Sequence, residues 1–237
     1  MRFGRYWCRV SSCFLGSLIA ASVAFGQIDF SAAIVDLQKP GNPVLAKLHF
    51  AKDKRRLDMQ PASDDSSIVV LLSAPTLLKS GAELRLGGAG RAVILDLADQ
   101  TTTVLIPDQK TYFHGRRLSM RASDLYWLYA TIHPAHVDDA CGEWMTGAAA
   151  VGETCRKVGE KMLNGRSAVE YELSCYGDFC RLWIDRELHA LIKRETKWNS
   201  TELRNILEGP LDGSLFEVPP GYTEGRPSGV IQRSEPQ

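Results

Sequence analysis

Apolar and polar residues alternate along most of this chain. In "SAVEYELSC", Val169, Tyr171, Leu173 and Cys175 alternate with Glu170, Glu172 and Ser174, the period of two expected of a strand with one buried face. The same alternation, or a run of β-branched residues between turn signals, predicts strands over 29–38, 44–51, 54–59, 91–97, 102–107, 155–163, 167–175, 179–185, 190–198 and 203–209. Between them stand "KPGNP", "AKDK", "ADQ" and the hairpin dipeptide Asn164-Gly165. Connections this short force consecutive strands to meander antiparallel.

One stretch carries a helical period instead. In "SMRASDLYWLYATIH", Ser119 or Ser123 can cap, and Leu125, Leu128 and Ile132 share an apolar stripe. Helical crossovers do not recur, which argues against a parallel sheet. Segment 61–90 opens polar, holds the apolar run Ile68 to Leu72 and closes in glycines. It reads as an insertion, either an extra strand with a short helix or a flap. A sheet of about ten strands is too large for one helix to cover, so it must curl on itself or enclose something.

The N-terminus changes the picture. Arg2, Arg5 and Arg9 precede an apolar run from Phe14 to Phe25, followed by Gly26. The run is about a dozen residues, short of the roughly 20 that a membrane helix needs. Residues 1–26 are expected to be a signal peptide cut before Gln27, with Ala24 and Gly26 as the small residues at the cleavage site. No cysteine directly follows the apolar run, which disfavours a lipid anchor. A single domain over 27–224 with a flexible tail over 225–237 is then expected. The full chain is balanced at 28 basic and 28 acidic residues, and losing three arginines leaves 25 against 28, a net charge of −3. Neither a basic patch for nucleic acid nor a transmembrane span is expected. The chain is placed as a soluble protein of the periplasm.

Export also settles how the cysteines are read. Two of the six fall in the signal, leaving Cys141, Cys155, Cys175 and Cys180 for an oxidising compartment. If Cys175 faces Cys180 across a four-residue loop, Leu173 faces Leu182 and Tyr171 faces Ile184, all on the apolar side. That register makes Cys175–Cys180 a cross-strand disulfide and leaves Cys141 with Cys155.

Candidate chemistry adds little. In "HPAHVDDAC", His133, His136, Asp138 and Asp139 could hold a metal, but Pro134 breaks the helix on which a His-x-x-His spacing would have geometric meaning. The glycines of "GGAGRAVI" precede a strand, whereas a phosphate cradle follows one and opens a helix. Motifs of nucleophilic or metal-dependent hydrolysis do not occur. No enzyme, cofactor or metal is expected.

The order "RRLDMQ", "VILDLADQTTTVLIPDQKTYF", a helix, "CRKVGEKMLNGRSAVEYEL", "RLWIDRELHALIKRET" and the closing "LDGSLFEVPPGY" resembles the LolA-like periplasmic superfamily over nearly the whole mature chain. That resemblance implies a strongly curved antiparallel half-barrel, mainly β, with one or more helices over its apolar concave face. It also implies binding of a hydrophobic molecule or the acyl chain of a lipoprotein. Phe50, Leu95, Leu97, Ile106 and Trp127 are the residues expected to line such a site, with Trp127 presented by the helix. The alternative is an envelope interaction or sensor module that binds another protein and fills its interior with its own side chains.

Overall fold

The computed structural model describes residues 28–60, 68–73, 82–86, 90–120, 126–148, 154–175 and 178–225. For 68–73, 82–86, 116–120, 126–128, 145–148, 175 and 178 it describes the backbone alone. The expected signal peptide, part of segment 61–90 and the residues after Gly225 lie outside the described residues.

All ten predicted strands are present: β1 (Phe30–Asp36), β2 (Val44–Phe50), β3 (Lys54–Met59), β6 (Arg91–Asp96), β7 (Thr101–Ile106), β9 (Cys155–Leu163), β10 (Arg166–Cys175), β11 (Asp178–Asp185), β12 (Leu191–Thr196) and β13 (Ser200–Glu208). Asn164 and Gly165 both take positive φ, 50° and 81°, the tight turn predicted between β9 and β10. Segment 61–90 supplies a further hairpin, β4 (Ile68–Ser73) with β5 (Ala82–Leu86). Two strands were not expected, β8 (Thr111–Met120) and the short β14 (Thr223–Glu224). The described strands form one sheet in the order β5-β4-β8-β7-β6-β3-β2-β1-β13-β12-β11-β10-β9, with β14 pairing beside β8.

The helix is shorter than predicted. Ser119 and Met120 belong to β8, and α1 runs only over Tyr126–Thr131. Ser123 and Leu125 lie outside the described residues. A second helix, α2 (Ala140–Ala148), occupies a stretch without a clear apolar stripe. The hairpin register is also corrected: Leu173 faces Cys180, Tyr171 faces Leu182 and Cys175 faces Asp178. Pairing begins two residues nearer the turn than a four-residue loop allows. A shift of two keeps each side chain on its face, so Tyr171, Cys180, Leu182 and Ile184 are still buried together. Trp183, on the other face, lies opposite Glu170.

The sheet is open and curled. α1 meets β2, β3 and β12, although β3 and β12 stand four places apart in the sheet. Flat strands would put them about 19 Å apart, at about 4.8 Å per step. A six-residue helix is about 9 Å long, so its contacts with both fit a curled sheet. The main core gathers Phe30, Ile34, Leu48, Phe50, Leu57, Val93, Val104, Val169, Leu182 and Leu203 from the sheet, with Tyr129 and Ala130 from α1. Bulges help the strands bend, as at Asn205 with φ 52° in β13, where the pairing to β1 slips.

The opposite face has a smaller core. Ala92, Ile94 and Leu105 project outward from β6 and β7 and are covered by Phe216, with Leu211, Leu215, Val218 and Tyr222 beside it. Arg56 ties this C-terminal cover to β3 by donating to the Leu215 carbonyl at 2.8 Å. Asp212 caps the short turn Gly213–Phe216 by accepting from the Ser214 amide.

Candidate ligand-binding face

Of the five residues expected to line a ligand site, three share one side of the sheet. Phe50, Leu95 and Ile106 are buried in the main core. Leu97 lies past the end of β6 and is 44% exposed, so it is no part of this floor. Trp127 is carried on α1, but its side chain lies outside the described residues.

Phe50 organises its surroundings. Its ring stacks on Phe30 with centroids 4.7 Å apart, and the Arg55 guanidinium carbon sits 3.4 Å from the ring centroid. Arg55 is 1% exposed, which is unusual for a cation and sustainable only with partners. It donates to the carbonyls of Ala51, of Lys52 at 3.2 Å and of Lys54 at 3.0 Å. Burial lowers its pKa to about 10, against the opposing pull of Asp53 and Asp29. Sequence reading missed Arg55, yet the signal was there. In "KRRLDM" it shares parity with Leu57 and Met59, so the alternation itself puts it on the apolar face.

His133 closes the cluster from the loop after α1. Its ring lies 5.4 Å from Phe50 and 6.2 Å from His189, whose Nδ1 is 3.2 Å from the Pro134 carbonyl oxygen. The His133 Nε2 is buried and has no hydrogen-bond partner among the described residues. Burial, then Arg55, then His189 lower its pKa to about 4. At neutral pH it is an uncharged aromatic wall.

The other members of "HPAHVDDAC" go separate ways. His136 is exposed and pairs with Glu143, whose carboxylate also accepts from the amides of Ala135 and His136 at 2.9 and 2.7 Å. Asp138 accepts from Lys157 and Arg186, which hold its carboxyl well below the usual range. Asp139 is exposed at the start of α2. The described residues contain no group of three or more His, Cys, Asp or Glu placed to hold a metal.

α2 is fixed to the sheet by a covalent and a polar link. Cys141 and Cys155 form a disulfide, Cα to Cα 5.5 Å, between α2 and the start of β9. Tyr171 donates from β10 to the Val137 carbonyl and accepts from the Ala140 amide, and its ring meets Trp144 edge-on at 5.3 Å. Cys180 is also disulfide-bonded. The side chain of Cys175 lies outside the described residues, so its expected bond to Cys180 stays a proposal.

No family model and no curated protein matches this chain. Solved structures do. PNGF-II shares 8% identity over 83% of this chain and 30% of its own, at a TM-score of 0.43. MucB shares 16% over 81% of this chain and 58% of its own, at 0.39. A LolA-superfamily protein from Nitrosomonas europaea shares 10% over 82% and 91%, at 0.24. The chain thus spans 30% of PNGF-II and 58% of MucB. A further structure is the complex of Pseudomonas aeruginosa MucA and MucB.

Proposed function

We propose that this chain is a periplasmic, non-enzymatic binding protein that takes up a hydrophobic or lipidated ligand, such as an acyl chain, on the concave face of its sheet. One observation carries the reading: the apolar face is continuous from the strands that α1 meets to the far side of the sheet. α1 meets β2, β3 and β12, and Leu95, Val104, Ile106 and Phe113 continue the same buried face across β6, β7 and β8. Trp127 on α1 is the residue proposed to meet the ligand, above a floor that includes Phe50, Leu95 and Ile106. The titratable residues nearby fit a binding role, since His136 and Asp138 are engaged in ion pairs and His133 is held uncharged.

A fourteen-carbon chain fully buried is worth about 10 kcal/mol at roughly 0.8 per methylene, before association costs take several back. Micromolar affinity follows. Titration with a fluorescent fatty-acyl probe should give a saturable signal, and Trp127→Ala should weaken it far more than Trp198→Ala. A flat titration would overturn the reading.

A second reading has its own observation. Around Phe30, Leu48, Phe50 and Tyr129 the interior is filled by the protein's own fully buried side chains, and β9 ends the sheet with a single neighbour among the described strands. A module that binds an envelope protein through an edge or its convex face would need no more.

A further inference from the structure

Three turns lie side by side at one end of the sheet. β1, β12 and β10 run into this end and β2, β13 and β11 leave it, through residues 37–43, 197–199 and 176–177. The last pair lies outside the described residues. The first two turns are stitched together where the Leu37 amide donates to the Ser200 carbonyl at 2.8 Å. The exposed aromatic residues among those described sit at this end: Phe179, 71% exposed at the start of β11, and Trp198, 68% exposed in the β12–β13 turn. Val44, also exposed, follows the β1–β2 turn.

Trp198 is not on a loose loop. Thr196 Oγ1 accepts from the amides of Trp198 at 3.2 Å and Asn199 at 3.1 Å, and Arg194 holds the Asn199 side chain at 2.7 Å. An ordered turn that keeps a Trp in water spends exposure on something outside the fold. Lysines stand at two of these tips, Lys39 within 4.0 Å of Asp36, and Asp178 flanks the third turn. Lys39 is the charged residue of "LQKPGNP" and Lys197 that of "KWN", and the Lys197 ammonium stands 4.6 Å from the Trp198 ring centroid. Aromatic rings at the tips with lysines beside them match the layered chemistry of a lipid surface, where rings enter the headgroup boundary and ammonium groups meet phosphate. The acids Glu172 and Glu195 lie further down the strands, and Glu172 is neutralised by Arg156 and Arg181.

We propose that this end of the sheet, through Phe179, Trp198, Lys39 and Lys197, touches an anionic phospholipid surface weakly and reversibly. The inference goes beyond the concave-face reading and does not depend on it. The test is co-sedimentation of the full, disulfide-bonded chain with vesicles of phosphatidylcholine alone and of phosphatidylcholine mixed with phosphatidylglycerol. Wild-type protein should bind the mixed vesicles better. Trp198→Ala should lower partitioning about ten-fold to both, the loss expected when one partly inserted ring is withdrawn. Lys39→Gln with Lys197→Gln should remove the preference for the mixed vesicles, at about five-fold per lysine. Because these side chains are exposed, the variants should keep the wild-type melting temperature and acyl-probe titration, so failure here is separable from failure of the concave site. Absence of wild-type binding to either vesicle, or equal binding by Trp198→Ala, overturns the proposal. So does vesicle-independent capture of an envelope protein that needs Phe179 and Trp198, which would make this end a protein-docking face.

Discussion

The two wings of the sheet solve the problem of cover differently. On the outer side of β9–β12, charge does it: Arg156 faces Glu172, Glu172 faces Arg181 and Arg181 faces Glu195, a ladder in register across four strands. That face can meet water as it stands. The outer side of β6 and β7 is apolar and must be covered, which the C-terminal segment does by laying Phe216 on Ala92, Ile94 and Leu105. Inside, the β9–β11 wing is pinned to α2 through Cys141–Cys155 and Tyr171, while β6–β8 contribute an apolar floor of Leu95, Val104, Ile106 and Phe113. One wing is closed by ladders and a cross-link, and the other by apolar cover, which is the wing where a hydrophobic ligand could take a share of the covering.

The largest test of this contrast is Phe216→Ala. It strips the cover from a face with no polar substitute and should cost about 3–4 kcal/mol in chemical denaturation. Cys141→Ser should cost slightly less, about 3 kcal/mol for a loop of this length, and should leave acyl-probe binding on the other wing intact. A loss of probe binding alongside would show that the wings are not independent.

Acid should produce the next effect, through His133. Its pKa falls from 6.5 to about 4 in the fold, so the unfolded chain takes up a proton that the folded chain refuses. The stability contribution is complete above pH 6.5 and is lost as pH falls toward 4, by about 3 kcal/mol from the shift itself and roughly 2 kcal/mol once solvent screening of this partly exposed ring is counted. His133→Phe should flatten that part of the stability profile. The smallest effect belongs to the outer ladder: Glu172→Gln should leave the denaturation midpoint almost unchanged, because the guanidinium groups of Arg156 and Arg181 are exposed and screened. A larger loss would mean that the ladder carries its wing.

The strands were legible because half-buried strands write their burial into every second residue. β8 was not, since "TYFHGRRLSM" breaks its alternation with Gly115 and paired arginines. α2 was hidden for a related reason: "ACGEWMTGA" holds two glycines and a threonine, poor helix formers, and is secured by contacts far away in sequence. The register error at Cys175 and Cys180 left the faces right because a slip of two is invisible to a pattern of period two. For the candidate site, Phe50, Leu95 and Ile106 were named from the family resemblance and lie in the core, whereas His133 and His189 meet only through the tertiary fold. Trp198 closes a predicted strand and in the structure projects from a turn, since strand-end positions carry no parity.

The central claim is that the concave face holds a hydrophobic ligand, and mass spectrometry of lipids extracted from protein purified under native conditions tests it most directly. The account predicts a near-stoichiometric acyl-bearing species, depleted in Trp127→Ala and retained in Trp198→Ala. Extracts free of any such species, from protein whose melting temperature does not respond to added acyl ligand, would contradict it.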